Sequence, residues 1–223
     1  MLINQNVLIT AGPTWTPIDE IRIITNIATG NTGCAIARKA LDCGCNVTLV
    51  LGPGNITADT TLFGSIEVIR FKYFNELLSL MHTLLLSRPY HIIIHSAAVS
   101  DYTLSQSFQG KIKSGAEDLH ITLKPTVKIV DRIKKWAPKS ILVKFKLECG
   151  LSEHEIIEIG YKSLLDSQAD ILVANRYVSE KTIIDYTCII DKNKNLIKVP
   201  ARDQLPDILL RKLDSLCTHN SKK

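Results

Sequence analysis

No run of apolar residues in this chain reaches the length needed to cross a bilayer, so a membrane-spanning helix is not expected. None of the six cysteines, at positions 34, 43, 45, 149, 188 and 217, forms a Cys-x-x-Cys pair. Cys43 and Cys45 flank a single glycine, too close for an ordinary disulfide or a zinc knuckle. Met1 to Asn6 is short and polar, unlike a secretory leader. Scattered cysteines without a leader are expected as reduced thiols in the cytoplasm. A massed basic face is also missing. The net charge is +5, and only short clusters such as Arg132, Lys134 and Lys135 occur. That disfavours a nucleic-acid groove, and a small anionic substrate or a nucleotide accounts equally well for the excess charge. There is no internal repeat and no low-complexity segment. With 45% hydrophobic and 22% charged residues, the chain is not of the disordered class.

What is present is an alternation of strand and helix patterns. Val7 to Thr10 is an apolar run that opens into Ala11-Gly12-Pro13 and reads as a buried strand. Gly30 to Asp42 has helical spacing, stopped at Gly44. Asn46 to Leu51 and Ile66 to Phe71 read as strands, Phe74 to Leu86 as a helix, and His91 to His95 as a strand followed by Ser96-Ala97-Ala98. The second half is less regular. Strands are expected over His120 to Leu123, Ile141 to Phe145 and Asp170 to Ala174. Helices are expected over Val127 to Trp136, Ser152 to Leu165 and Asp203 to Leu216. Ser152 and Glu155 form a capping-box pattern. Thr187 to Asp191 and Leu196 to Val199 suit a hairpin. The expectation is one α/β domain over 1–218, Rossmann-like and mainly parallel, with helices on both faces, a flap and a C-terminal hairpin. Residues 219–223 are expected to be a disordered tail.

In open α/β sheets, ligands bind beyond the carboxyl ends of the strands. Three such ends are built from small residues: Ala11-Gly12, Ser96-Ala97-Ala98 and Ala174-Asn175. Gly30 to Gly33 opens a helix and could hold phosphate on free N–H groups, or the glycines could simply permit close packing. No Asp or Glu follows the second strand, which ends in Leu51-Gly52-Pro53. That argues against an NAD-dependent reductase. The long polar loop before Gly30 carries Asp19, Glu20, Arg22 and Asn26. It is either functional or a solvated surface loop. The Asn26 amide can both donate and accept, which suits it to orienting a carboxylate or acyl group. Asp101 follows a strand end, where it could meet a nucleotide sugar, a base or a cation. Lys111 and Lys113 lie after a flexible stretch, Thr103 to Gly110. They could close over phosphates, or form an exposed basic turn.

These residues resemble a known family. Val7 to Thr14, Pro17 to Asp19, Arg22, Thr25-Asn26, Thr29-Gly30 and Gly33 resemble the opening signature of phosphopantothenoylcysteine synthetase, the phosphopantothenate–cysteine ligase family. Ser96 to Tyr102 with Lys111 to Lys113 resemble its second signature. Val143 to Glu148 and Ala169 to Asn175 resemble its third. The resemblance runs in order over roughly residues 5 to 200. It implies a stand-alone synthetase without the flavin-dependent decarboxylase that precedes it in many bacterial fusion proteins. It further implies a homodimer and a two-step reaction. The carboxylate of 4′-phosphopantothenate attacks a nucleoside triphosphate to give an acyl-nucleotidyl intermediate and pyrophosphate. The amine of L-cysteine then displaces the nucleoside monophosphate. Mg²⁺ is the expected companion, with metal ligands left open. By resemblance, Asn26 holds the acyl intermediate and Lys111 serves the first step. Arg22, Gly30, Gly33, Ala97 and Ala98 are implied for substrate. Gly12, Ser96, Asp101, Lys111, Phe145 and Lys162 are implied for nucleotide.

Several positions depart from the family pattern. Pro125-Thr126-Val127-Lys128 stands where many relatives have Asn-Pro-Asp-Ile. Lys144 to Leu147 replaces Gly-Phe-Ala-Ala. Asp166 falls where a second basic residue is common, and Arg176 stands where Asp is usual. They bear on nucleotide identity more than on reaction class. CTP is favoured, since bacterial members generally use it, with ATP as the alternative. A nucleotide-binding protein of the same fold without catalysis is the other reading, and Asn26 and Lys111 speak against it.

Overall fold

The computed structural model describes residues 2–54, 64–106, 108–113, 115, 118–178 and 183–220. The apolar run at the start folds as β1 (Asn6–Ala11) and is buried almost throughout. Two short strands, β2 (Thr16–Pro17) and β3 (Ile23–Ile24), pair within the loop that follows. Then come α1 (Asn31–Asp42), β4 (Asn46–Leu51), β5 (Glu67–Arg70), α2 (Phe74–Ser87) and β6 (Ile92–His95). The second half holds β7 (Tyr102–Leu104), β8 (Leu123–Pro125), α3 (Val130–Trp136), β9 (Ile141–Cys149), α4 (Glu153–Asp166) and β10 (Ile171–Val178). It ends in β11 (Ile183–Asp191), β12 (Leu196–Lys198), a 3-10 turn (Arg202–Gln204) and α5 (Leu205–Asn220).

The main sheet has eight strands in the order β12-β11-β10-β9-β6-β1-β4-β5. The six strands β5, β4, β1, β6, β9 and β10 run parallel, β11 is antiparallel to them, and β12, antiparallel to β11, runs in their direction again. The chain runs outward from β1 through β4 to β5, then returns to β6 on the other side of β1. The topological switch point, where open α/β sheets leave a crevice, therefore lies between β1 and β6. One sheet face packs against α1 and α5, with Ile36, Ala40, Leu209 and Leu213 in that core. The other packs against α2, α3 and α4, with Leu77, Met81, Ile133 and Leu164. The alternation of side chains along a strand divides β9 between them. Val143 and Phe145 face α1 and α5, while Leu142 and Lys144 face α2 to α4.

The structure bears out the Rossmann-like reading, with differences at particular elements. The strand expected over His120 to Leu123 instead occupies Leu123–Pro125, because its partner Tyr102–Leu104 fixes the register and pairs Pro125 with Tyr102. Strands β9 and β10 run four residues beyond their expected ends, paired to each other from Ile171↔Val143 to Tyr177↔Cys149. Residues past the core-facing stretch stay extended because the neighbouring strand continues to take up their hydrogen bonds. Helix α4 carries the expected capping box: Glu155 N–H donates to Ser152 Oγ, and Ser152 N–H donates to Glu155 at 2.9 Å. The terminal hairpin forms as expected, and its turn is fixed by the buried Asp191, whose Oδ1 accepts from Asn193 N–H and Asn195 N–H at 3.0 Å each. Helix α5 continues to Asn220, into the stretch expected as a tail, and residues 221–223 lie outside the described residues.

Candidate active site

The crevice at the switch point is closed by a short zipper of backbone bonds beyond β1 and β6. Ala98 N–H donates to Gly12 O at 2.9 Å, and Thr14 N–H donates to Ala98 O at 3.2 Å. Ser96 Oγ donates to Thr10 O at 2.6 Å, and Ala97 N–H donates to Thr10 Oγ1 at 3.1 Å. The N–H groups of Ala97 and Ala98 are thus engaged within the protein. These two residues, implied for substrate, leave only their shape and the Ala98 carbonyl to offer a ligand. That carbonyl also accepts from Asn26 Nδ2 at 2.9 Å, while Asn26 Oδ1 accepts from Ala28 N–H at 3.3 Å. Asn26 itself is exposed, so its amide lies at the mouth of the crevice in one fixed orientation.

Helix α1 starts beside it. Its N-cap, Gly30, adopts φ 83°, and no side chain caps the helix. Among the described residues, no acceptor is assigned to the first-turn N–H groups of Thr32 and Gly33, and the turn has no acidic residue. Unpaired N–H groups at a helix start favour an anion. Arg202 Nη2 donates to Thr32 Oγ1 at 2.6 Å, which brings a guanidinium to the same place. Gly33 is required by packing: a Cβ there would lie 2.5 Å from Ala11 Cβ and 2.6 Å from Ser96 Oγ. The Gly33→Ala variant is therefore expected to lose about 1–3 kcal/mol of stability in spite of alanine's better helix propensity, as read from a urea midpoint.

The long loop after β1 reaches across to the segment before β8. Asp19 is buried, and its Oδ1 accepts from Ile21 N–H and Arg22 N–H at 2.9 and 2.7 Å. Its Oδ2 accepts from Ile112 N–H at 3.1 Å. The N–H of Ile21 foremost, with those of Arg22 and Ile112, holds the Asp19 carboxyl below the usual carboxylate range against the opposing effect of burial. Arg22 Nη2 returns a bond to Ile112 O at 3.1 Å, and Gly110 N–H donates to Glu20 at 3.2 Å. The residues on both sides of Lys111 are therefore anchored, while Lys111 and Lys113 are exposed.

Asp101 lies beyond β6 in an ion pair with Lys128 at 2.9 Å, with both side chains largely exposed. Thr126 Oγ1 donates to Ser100 O at 2.8 Å, and Thr126 N–H donates to Asp101 O at 2.9 Å. Two of the departures from the family pattern, Thr126 and Lys128, thus hold the position implied for nucleotide. Phe145 is half-buried against the α1 and α5 face, whereas Lys162 sits on α4 across the sheet. Among the described residues, no hydrogen bond or ion pair joins Lys162 to the crevice. The structure brings together Gly12, Asn26, Gly30, Gly33, Ser96, Ala97 and Ala98, links Arg22 to the Lys111 segment, and places Phe145 one residue past Lys144, the β9 partner of His95.

Three polar groups missing from the expected site lie in a row behind it. Thr10, His95 and Lys144 are neighbours on β1, β6 and β9. All are buried. Thr10 and His95 were legible only as polar residues closing two apolar strands. Burial, reinforced by the Lys144 ammonium, pushes His95 down to about 4 from its ordinary 6.5. The unfolded chain would then take up a proton that the folded protein refuses. Stability should fall as pH drops from about 6.5 to about 4, by on the order of 3 kcal/mol, and level off below. Urea titrations across that range should show a weaker slope in His95→Asn.

A family model described as the DNA/pantothenate metabolism flavoprotein C-terminal domain matches residues 2–208. The coenzyme A biosynthesis bifunctional protein CoaBC of Thermococcus kodakarensis is 37% identical over 171 residues, 77% of this chain and 41% of that protein. The protein of the same description from Bacillus subtilis is 33% identical over 171 residues, 77% of this chain and 40% of its own length. The chain thus spans about two fifths of the length of these curated relatives. The crystal structure of the DNA/pantothenate metabolism flavoprotein from Streptococcus pneumoniae superposes with a TM-score of 0.83 at 29% identity, covering 95% of this chain and 99% of that one.

Proposed function

The chain belongs to the DNA/pantothenate metabolism flavoprotein C-terminal domain family, and from that premise we propose that it is a phosphopantothenate–cysteine ligase of coenzyme A biosynthesis. The observation that carries this reading is the Asn26 amide, fixed on the Ala98 carbonyl beside the uncapped start of α1. A held amide next to an anion-binding helix start suits a substrate that has a phosphate at one end and a carboxylate to be activated at the other. In this reading, the phosphate of 4′-phosphopantothenate rests at Gly30 to Gly33, with Arg22 as a further substrate contact. The carboxylate attacks the α-phosphate of a nucleoside triphosphate, breaking its bond to pyrophosphate and forming an acyl-nucleotidyl anhydride. Asn26 orients that anhydride while the cysteine amine attacks its acyl carbon and expels the nucleoside monophosphate.

Lys111 would stabilise charge on the departing pyrophosphate. Gly12, Ser96, Asp101, Phe145 and Lys162 would serve the nucleotide. CTP is the proposed nucleotide. The pairing of Asp101 with Lys128, a departure from the family pattern, is the observation that keeps ATP as a second reading. Among the described residues, no group of three or more His, Cys, Asp or Glu could hold an ion. This fits Mg²⁺, which is commonly bound through substrate phosphates and water with one or two carboxylates rather than in a protein cage. Mg²⁺ would neutralise phosphate charge, and Asp101 is the carboxylate of the proposed nucleotide set. None of the six cysteines is in a disulfide, and no helix among the described residues is long and apolar enough to cross a membrane. Both findings are compatible with work in the cytoplasm. Mass-spectrometric detection of 4′-phosphopantothenoylcysteine, with CTP and ATP supplied in separate reactions, tests the reading.

A homodimer belongs to the same proposal. Ile21, Ile23, Ile24 and Ile27 on the β2–β3 loop are 66%, 36%, 38% and 75% exposed, an apolar group that a second copy would cover. Sedimentation at micromolar concentration should give twice the 24.8 kDa chain mass. An active monomer would contradict it.

A further inference from the structure

We propose that His95 and Thr10 form a positioning pair that holds the Ala97-Ala98 backbone, and through it Asn26, in working orientation. The proposal rests on the ligase reading for its kinetic consequences but not for its geometry. Thr10 Oγ1 and His95 Nδ1 are 3.0 Å apart, both buried. Thr10 Oγ1 also accepts the Ala97 N–H at 3.1 Å, and the next carbonyl, Ala98 O, accepts from Asn26 Nδ2 at 2.9 Å. A hydroxyl has one proton to give. In the Nε2–H tautomer the Thr10 hydroxyl accepts from Ala97 N–H and donates to Nδ1, and the imidazole is neutral.

Lys144 supplies a reason for it to stay so. It is the next residue along the row, 7% exposed, and all three of its protons go to α4: to Ser163 O and Ser163 Oγ at 2.9 Å each, and to Ser167 Oγ at 3.1 Å. Among the described residues, no carboxylate lies within ion-pair distance of its ammonium. A buried cation beside the ring disfavours a second positive charge on His95. The row converts a strand-to-strand contact into a fixed carbonyl direction at the mouth of the crevice. Because the pair acts on Asn26 through the Ala97-Ala98 backbone, its loss should alter rate more than substrate affinity.

The test compares His95→Leu, Thr10→Val, the double variant and His95→Asn, whose side-chain oxygen can stand near the Nδ1 position. Two readouts are used: the Asn26 side-chain amide resonance by NMR, and steady-state ligase kinetics. His95→Leu and Thr10→Val are each expected to shift the Asn26 resonance and to lower kcat about tenfold, with KM changed less than about twofold. The double variant should be no worse than the poorer single one, since both act through one chain. His95→Asn should restore most of the rate. Additive losses of about a hundredfold, or an unmoved Asn26 resonance in Thr10→Val, would overturn the proposal. If His95→Leu does not fold, Thr10→Val and His95→Asn still decide it by the resonance alone. A wild-type protein without ligase activity would sink the functional reading and leave the resonance test standing.

Discussion

Asn26→Ala is expected to lower turnover about a hundredfold, equivalent to about 2.7 kcal/mol of barrier, while leaving the fold intact. The side chain is exposed, and its two bonds, to Ala98 O and from Ala28 N–H, lie within loops rather than in the sheet. Exposed positions of this kind usually change stability by less than about 0.5 kcal/mol. The catalytic loss arises because the amide is already held before substrate arrives. Its Nδ2 carries a second proton beyond the one given to Ala98, and that proton can meet an acyl oxygen in a fixed direction. Asn26→Asp is a sharper probe. It keeps the size and an oxygen to accept from Ala28, but sets a carboxylate against the Ala98 carbonyl where a donor stood. It should be at least as impaired as the alanine variant. Rapid quench should show acyl-nucleotide building up or failing to form in both, with melting close to wild type. Turnover like that of wild type in either variant would remove Asn26 from the mechanism.

Lys111→Gln is expected to slow pyrophosphate release about a hundredfold in a single turnover, with nucleotide affinity weakened only severalfold. A cation acts most strongly where charge develops, and pyrophosphate gains charge as it departs. The structure adds a reason why this lysine, and not its neighbour, should matter. Gly110 is held by Glu20, and Ile112 by both Asp19 and Arg22. Lys111 stands between two anchored residues. Its backbone need not be ordered when substrate binds, so less entropy is lost. Lys113 has the anchored Ile112 on one side, and its other neighbour lies outside the described residues. Lys113→Gln should fall within about threefold of wild type. Equal, small losses from both substitutions would return the segment to an exposed basic turn.

The strands were legible in the sequence wherever burial is complete. Asn46–Leu51 forms a strand over the residues expected, because Val47, Leu49, Val50 and Leu51, bounded by Gly44 and Gly52, leave little choice. The same logic located the crevice, since a buried strand that ends in small residues marks a sheet end. Sequence pattern failed where a partner rather than composition decides. The three-residue strand at Leu123–Pro125 is exposed throughout and exists only because Tyr102–Leu104 pairs with it. The site was half legible. Asn26, Gly30 and Gly33 were recognisable from residue type and motif. The Thr10–His95–Lys144 row was not, because it needs three strands 85 and 49 residues apart in sequence to lie side by side. Nor could residue order reveal that Thr126 and Lys128, departures from the family pattern, close on Ser100 and Asp101. Phe145 and Lys162 were named from motif alone, and the sheet lies between them. Alternation along β9 sends Phe145 to one face of the sheet, while α4 carries Lys162 on the other.

The most direct measurement is pyrophosphate release in the absence of cysteine, with enzyme in excess over 4′-phosphopantothenate and with CTP or ATP supplied in turn. The account predicts a burst that requires 4′-phosphopantothenate, is larger with CTP, and is followed by release of CMP only when L-cysteine is added. Pyrophosphate formation independent of 4′-phosphopantothenate, or none with either nucleotide, would contradict it.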